Sequence, residues 1–180
     1  MVCIRKIHYY ATQYRLQPGK MKYLLLSIAF FSCSLHLVQG QVKSVPDFTF
    51  SRLDNGAEFK SANLVAGKKT LFVFFDTECS HCMQAITEYN SKEKMLNNIN
   101  IVLITRDPKA DVQAFLKKYG PILSVKKNTT VLFDKNNQFI GKFLPRKFPS
   151  MFLFDASKRL MIYSDEEKDI PVIFQMISSK

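Results

Sequence analysis

The sequence carries no second C-x-x-C pair and no H-x-x-x-H pattern, so it lacks the four-ligand set of a structural zinc site. Internal repeats, low-complexity tracts and long linkers are also missing, which points to one folded domain. None of its 15 acidic residues precedes Asp47, so the formal charge of +11 is unevenly placed. Nor is there a cationic track for DNA or RNA: Lys68-Lys69, Lys117-Lys118, Lys126-Lys127 and Arg146-Lys147 are scattered pairs at element ends. What is present is apolar mass, 47% hydrophobic with 16 phenylalanines in 180 residues, enough for a real core.

Residues 1–40 are basic and acid-free, holding Arg5, Lys6, Arg15, Lys20 and Lys22. Within them Met21-Lys22-Tyr23 leads into the apolar Leu24–Phe31, and Val38-Gln39-Gly40 offers a small-residue exit. That order predicts a secretory signal peptide cut after about Gly40, with Met21 as an alternative start. A retained membrane anchor is one rival, opposed by His36 and the serines that interrupt a stretch short of the ~20 apolar residues a span needs. A lipid-attached Cys33 is another, opposed by Phe30, where a lipoprotein signal usually has leucine. The expectation is an exported, periplasmic or extracytoplasmic domain over residues 41–180, touching a membrane only if the leader is retained or lipidated. Removing the leader takes five cations and lowers the formal charge to +6. It also removes Cys3 and Cys33 and leaves Cys79 and Cys82.

Those two sit in Cys79-Ser80-His81-Cys82, just after the run Leu71-Phe72-Val73-Phe74-Phe75 and the link Asp76-Thr77-Glu78. The run reads as a buried strand and Met83-Gln84-Ala85-Ile86 as the opening of a helix. The pair therefore lies at a helix N-terminus, where unpaired N–H groups and the helix dipole favour a thiolate. Positions i and i+3 share a helix face, near enough for a disulfide. So short a loop staples little by chain entropy, which favours a redox role over a structural one.

Phe48–Leu53 alternates like an edge strand, Asp54-Asn55-Gly56 is a tight-turn signal, and Ala57-Glu58-Phe59 returns as a hairpin. A helix from about Ser80 to Met95 and the apolar run Ile99–Ile104 complete a βαβ unit. Val112, Phe115, Leu116 and Tyr119 mark a second helix, with Gly120-Pro121 as its stop. Thr130–Phe133 reads as a short strand, Phe139–Leu144 as a short helix or irregular segment, and Ser150–Asp155 with Arg159–Tyr163 as a hairpin. Asp169 is the expected cap of a last helix whose buried stripe is Ile170, Ile173, Phe174 and Ile177.

Together these features resemble the thioredoxin superfamily, and within it the secreted TlpA/ResA-type branch, over residues 45–180. The resemblance implies an α/β thioredoxin-like fold: a central mixed β-sheet flanked by helices, with an N-terminal β-hairpin at Phe48–Phe59 and an inserted helix at Lys109–Tyr119. It implies a thiol-disulfide oxidoreductase without cofactor, acting on protein thiol or disulfide substrates and served by a separate electron donor or acceptor. Cys79 would attack and Cys82 resolve, through a redox-active Cys79–Cys82 disulfide. It further implies that Pro149, in Phe148-Pro149-Ser150, forms a cis bond facing the dithiol and lines the substrate groove with Phe148. His81, next to the inner cysteine, is similar to the arrangement in strongly oxidising periplasmic thiol oxidases and marks a thiol-tuning residue.

Two positions depart from the superfamily pattern. Val73 stands where relatives carry a buried acid six residues before the first cysteine, and Glu78 stands where tryptophan is usual. The charge of Glu78 raises a neighbouring thiol's pKa and so opposes His81 and the helix dipole. Glu78 and Asp76 are the candidate proton acceptors in place of the missing acid. The TlpA/ResA likeness points to a reductase, whereas a dominant His81 points to an oxidase. A copper chaperone using Cys79, Cys82 and His81 is an alternative, against the wider cysteine spacing and distant histidine of copper-delivering relatives. A non-catalytic binding module is another. A peroxidase ranks low, because Asp76 occupies the place of the threonine found three residues before a peroxidatic cysteine.

Overall fold

Residues 40–179 are described by the structure, a computed structural model. The leader, with Cys3, Met21 and Cys33, lies outside the described residues. The strands are β1 (Thr49–Arg52), β2 (Glu58–Lys60), β3 (Thr70–Phe74), β4 (Asn100–Thr105), β5 (Thr129–Phe133), β6 (Ser150–Phe154) and β7 (Leu160–Ser164). The helices are α1 (Ser80–Ser91), α2 (Lys109–Tyr119), α3 (Pro121–Val125), α4 (Gln138–Phe143) and α5 (Ile170–Ser178). All seven strands join one mixed sheet in the order β2-β1-β5-β4-β3-β6-β7. β3, β4 and β5 run parallel, and the remaining pairs are antiparallel. The expected α/β thioredoxin-like fold is therefore present, with its hairpin at β1–β2 and its inserted helix at α2.

β3 and β4 are buried along their whole length, as near-continuous apolar strands covered on both faces should be. Successive side chains point to opposite faces, so each strand feeds two cores. Leu71, Val73, Leu103 and Met151 pack under α1, α2 and α5. Phe72, Phe74, Ile104 and Phe152 face the other way, into a cluster with Phe48, Phe50, Phe139 and Phe143. In that aromatic core the Phe139 ring stacks 4.1 Å from Phe143 and 4.5 Å from Phe74. Phe139→Ala is expected to cost about 3–5 kcal/mol, read by denaturant unfolding, since the ring is fully buried and few side chains can collapse into its place.

The boundaries differ from expectation in four places, each for a local reason. α1 ends at Ser91 instead of Met95: the Ser91 hydroxyl donates back to the Glu88 carbonyl at 2.8 Å, and a 3-10 turn over Glu93–Leu96 carries Leu96 into the core. Gly120-Pro121 does not stop the helical run but links α2 to α3. Pro121 opens α3, where its missing N–H is not needed, and Asn90 of α1 caps it by accepting from the Ile122 and Leu123 N–H groups at 2.9 and 3.0 Å. Asp169 precedes α5 but does not cap it, because its backbone is already helical and its carboxylate accepts from the Ser164 hydroxyl at 2.7 Å. β1 is interior, between β2 and β5, and β2 takes the edge.

Candidate active site

β3 leads straight to the dithiol. After it the Phe75 N–H still bonds to the Ile104 carbonyl at 3.0 Å, and the chain then turns through Asp76–Glu78. The Asp76 carboxylate accepts from the Glu78 N–H at 2.8 Å, and the Thr77 N–H donates to the Asp107 carboxylate at 2.7 Å. This turn delivers Cys79 as the N-cap residue of α1, with its carbonyl accepting from the Met83 N–H at 3.1 Å. Cys79 is partly exposed; Cys82, one turn on, is fully buried against Ala85 and Ile86 in the α1 core. Both are free thiols. Burial pushes the Cys82 thiol far above its usual range, the neighbouring Cys79 sulfur and Asp76 carboxylate add to this, and the Asp76 backbone N–H acts the other way. The pair is thus asymmetric: one thiol meets solvent and the other is held protonated behind it.

Opposite the dithiol runs the segment joining α4 to β6. The Phe148–Pro149 peptide bond is cis, and the Phe148 carbonyl lies 3.8 Å from the Cys79 sulfur, which donates to it. Pro149 is buried and Phe148 half-buried, its ring 4.7 Å from that of Phe74. Val73, at the position of the missing acid, is fully buried in register with Met151 and Leu103. No carboxylate replaces it from those partners.

Among the described residues, neither of the other two site residues expected from the sequence hydrogen-bonds to a thiol through its side chain. His81 is 60% exposed, with Nδ1 2.9 Å from the Glu167 carboxylate, and among the described residues it makes no hydrogen bond to either thiol. Glu167 is held below the usual carboxylate range by its own backbone N–H and by His81. Glu78 is exposed on the turn.

Sequence reasoning missed the charges that fix the cis-proline segment. Arg146 grips Asp165 with two bonds of 2.9 and 3.0 Å. The Tyr163 hydroxyl accepts from the Arg146 N–H at 3.0 Å and donates to Asp165 at 3.1 Å. Ser150 donates to the Lys147 carbonyl at 2.6 Å, and Lys147 pairs with Glu166. Three successive acids, Asp165, Glu166 and Glu167, thus engage Arg146, Lys147 and His81, tying both sides of the site to one connector. Complementary charge runs were the available signal, but nothing in the spacing joins residues 146 and 165.

An opening of about 430 Å³ beside Met83, Gln84 and Tyr119 touches neither cysteine, whereas one of about 220 Å³ adjoins Phe148. Among the described residues no three His, Cys, Asp or Glu side chains converge as a metal site, and no helix is long and apolar enough to cross a membrane.

Solved structures share this architecture. A secreted Mycobacterium tuberculosis disulfide oxidoreductase homologous to E. coli DsbE superposes with a TM-score of 0.58 at 20% identity, covering 72% of this chain and 95% of that one. A thioredoxin-like protein from Aeropyrum pernix gives 0.60 at 12% identity over 89% and 99% of the two chains. Peroxidoxin BcpB from Mycobacterium tuberculosis gives 0.59 at 12% identity over 78% and 98%. The thioredoxin-like fold is thereby shown. No curated protein matches the sequence significantly. The sequence model of the AhpC/TSA family matches residues 42–161, from the segment before β1 into β7, and by that match the chain belongs to the AhpC/TSA family.

Proposed function

We propose that the protein is an exported thiol-disulfide oxidoreductase that reduces disulfides in protein substrates through Cys79 and Cys82. The observation that carries this reading is the asymmetric thiol pair, with partly exposed Cys79 facing the Phe148 carbonyl beside cis-Pro149 and buried Cys82 one turn behind. The Cys79 thiolate attacks one sulfur of the substrate disulfide, forms a mixed disulfide and releases the other sulfur as a thiolate. Cys82 then loses its proton, with Asp76 or Glu78 as the acceptor, and attacks the Cys79 sulfur. The second substrate thiol leaves, and two electrons have passed from the dithiol to the substrate. A separate thiol reductant opens the Cys79–Cys82 disulfide for the next round. Pro149 and Phe148 hold the substrate chain extended across the dithiol. Export is supported by the basic, acid-free leader and by the fold shared with a secreted oxidoreductase.

The test is an equilibrium titration of the dithiol against a thiol–disulfide buffer. A reductase gives stoichiometric internal disulfide with a potential near −270 mV, while a value near −120 mV reverses the direction of electron flow. Absence of any internal disulfide under mild oxidant rejects the reading. The AhpC/TSA match favours a second reading, a thiol peroxidase. Faster turnover of hydrogen peroxide than of a protein disulfide would establish it.

A further inference from the structure

The opening of about 220 Å³ beside the cis-proline segment has an apolar base and a cationic rim. Phe74, Ile140 and Phe148 form the base, and Arg106, Arg146 and Lys147 stand around it. Two of these cations are already matched, Arg146 by Asp165 and Lys147 by Glu166. Arg106 is not. Among the described residues it pairs with no carboxylate, and its one polar contact is a long 3.4 Å approach to the Asn137 side-chain oxygen. The adjoining Asp107 carboxylate is engaged by the Thr77 N–H. The Arg106 guanidinium carbon lies 5.6 Å from the Phe148 ring centre and 5.9 Å from that of Phe74. Two aromatic rings therefore position an exposed, fully charged fork whose donors are almost unused.

Phe148 joins this opening to the dithiol. Its carbonyl faces the Cys79 sulfur while its ring forms part of the opening's base. An extended chain that presents a sulfur to Cys79 across this segment brings a residue near the reacting cysteine over the opening. A side chain with an apolar stem and a carboxylate end matches both halves: methylenes against Phe74 and Ile140, and two oxygens on the guanidinium. We propose that this opening is a specificity subsite that takes a glutamate or aspartate adjacent to the reacting cysteine of an extended polypeptide substrate, with Arg106 as its ligand. The proposal rests on the disulfide-exchange reading and narrows its substrates to acidic cysteine-containing segments.

The test uses blocked peptides that carry one cysteine as a mixed disulfide, with a glutamate moved in turn to each neighbouring position and a glutamine twin for each. Exchange rates are measured with the reduced full chain and with R106Q and R106E. A second arm measures binding of the same peptides with serine in place of cysteine. One glutamate register should react about tenfold faster than its glutamine twin. That advantage should shrink as salt is raised, vanish in R106Q and pass to a lysine peptide in R106E. A ratio near one at every register, or a ratio that survives R106Q, overturns the subsite while leaving disulfide exchange standing. If no peptide exchanges but glutamate peptides still bind in an Arg106-dependent way, the subsite stands and the exchange reading fails.

Discussion

Cys79→Ser is expected to lower disulfide reduction on the order of a thousandfold or more while leaving the fold in place. The two halves of that expectation have separate causes. Chemically, a serine hydroxyl supplies no thiolate at neutral pH, and the remaining thiol, Cys82, is fully buried and held protonated by its surroundings. Structurally, residue 79 is the N-cap of α1 and makes no side-chain capping bond as cysteine. Serine is among the preferred residues there, so α1 keeps or improves its start. Reduction of a protein disulfide, followed alongside denaturant unfolding of the same variant, reads both halves. Activity above about a tenth of the parent would move the attacking role away from Cys79.

Cys82→Ser separates the steps. Attack by Cys79 remains possible, so one substrate molecule should be captured per protein as a stable mixed disulfide, and turnover should stop. The trapped species is countable by mass under non-reducing conditions. Failure to accumulate it while turnover persists would show that release does not need the buried thiol.

The same variant exposes a linkage. In the folded, reduced protein the Cys82 pKa is raised above the usual thiol value of 9.0, so the native state keeps a proton that the unfolded chain gives up as pH rises. The unfolded state then binds fewer protons, and stability falls with increasing pH above that value. Relative to Cys82→Ser, the reduced parent should lose about 1 kcal/mol between pH 9 and 10, and the difference should be flat below pH 8.

The parts of the molecule legible in the sequence were those set by side chains close together in the chain. The run Leu71–Phe75 and the helix beginning at Ser80 bracket Cys79 and Cys82, so the dithiol's place at the strand–helix junction follows from local pattern alone. The cis Phe148–Pro149 bond followed from resemblance, because no local signal distinguishes it from the trans prolines at 108 and 121. The features that escaped depend on partners distant in sequence. α3 survives next to Gly120 because Asn90, from another helix, caps it. α4 was legible only as a helix or an irregular segment, and buried Asp134 fixes its start by accepting from the Gln138 and Phe139 N–H groups, both at 2.9 Å. His81 was read against its chain neighbours, the thiols, whereas its observed partner, Glu167, comes from the far end of the domain.

Gly120 gives the dithiol helix a remote constraint. A Cβ placed on residue 120 would sit 2.8 Å from the Ile86 side chain, which lies one turn beyond Cys82 on the same face of α1. Any residue larger than glycine there forces a local shift of the Ile86 side chain or of the chain at residue 120, beside the face of α1 that carries the buried thiol. The junction between α2 and α3 therefore acts as a backstop for the helix that carries Cys82. Tolerance to substitution at residue 120 becomes a measure of how closely α1 has to pack against the α2–α3 junction.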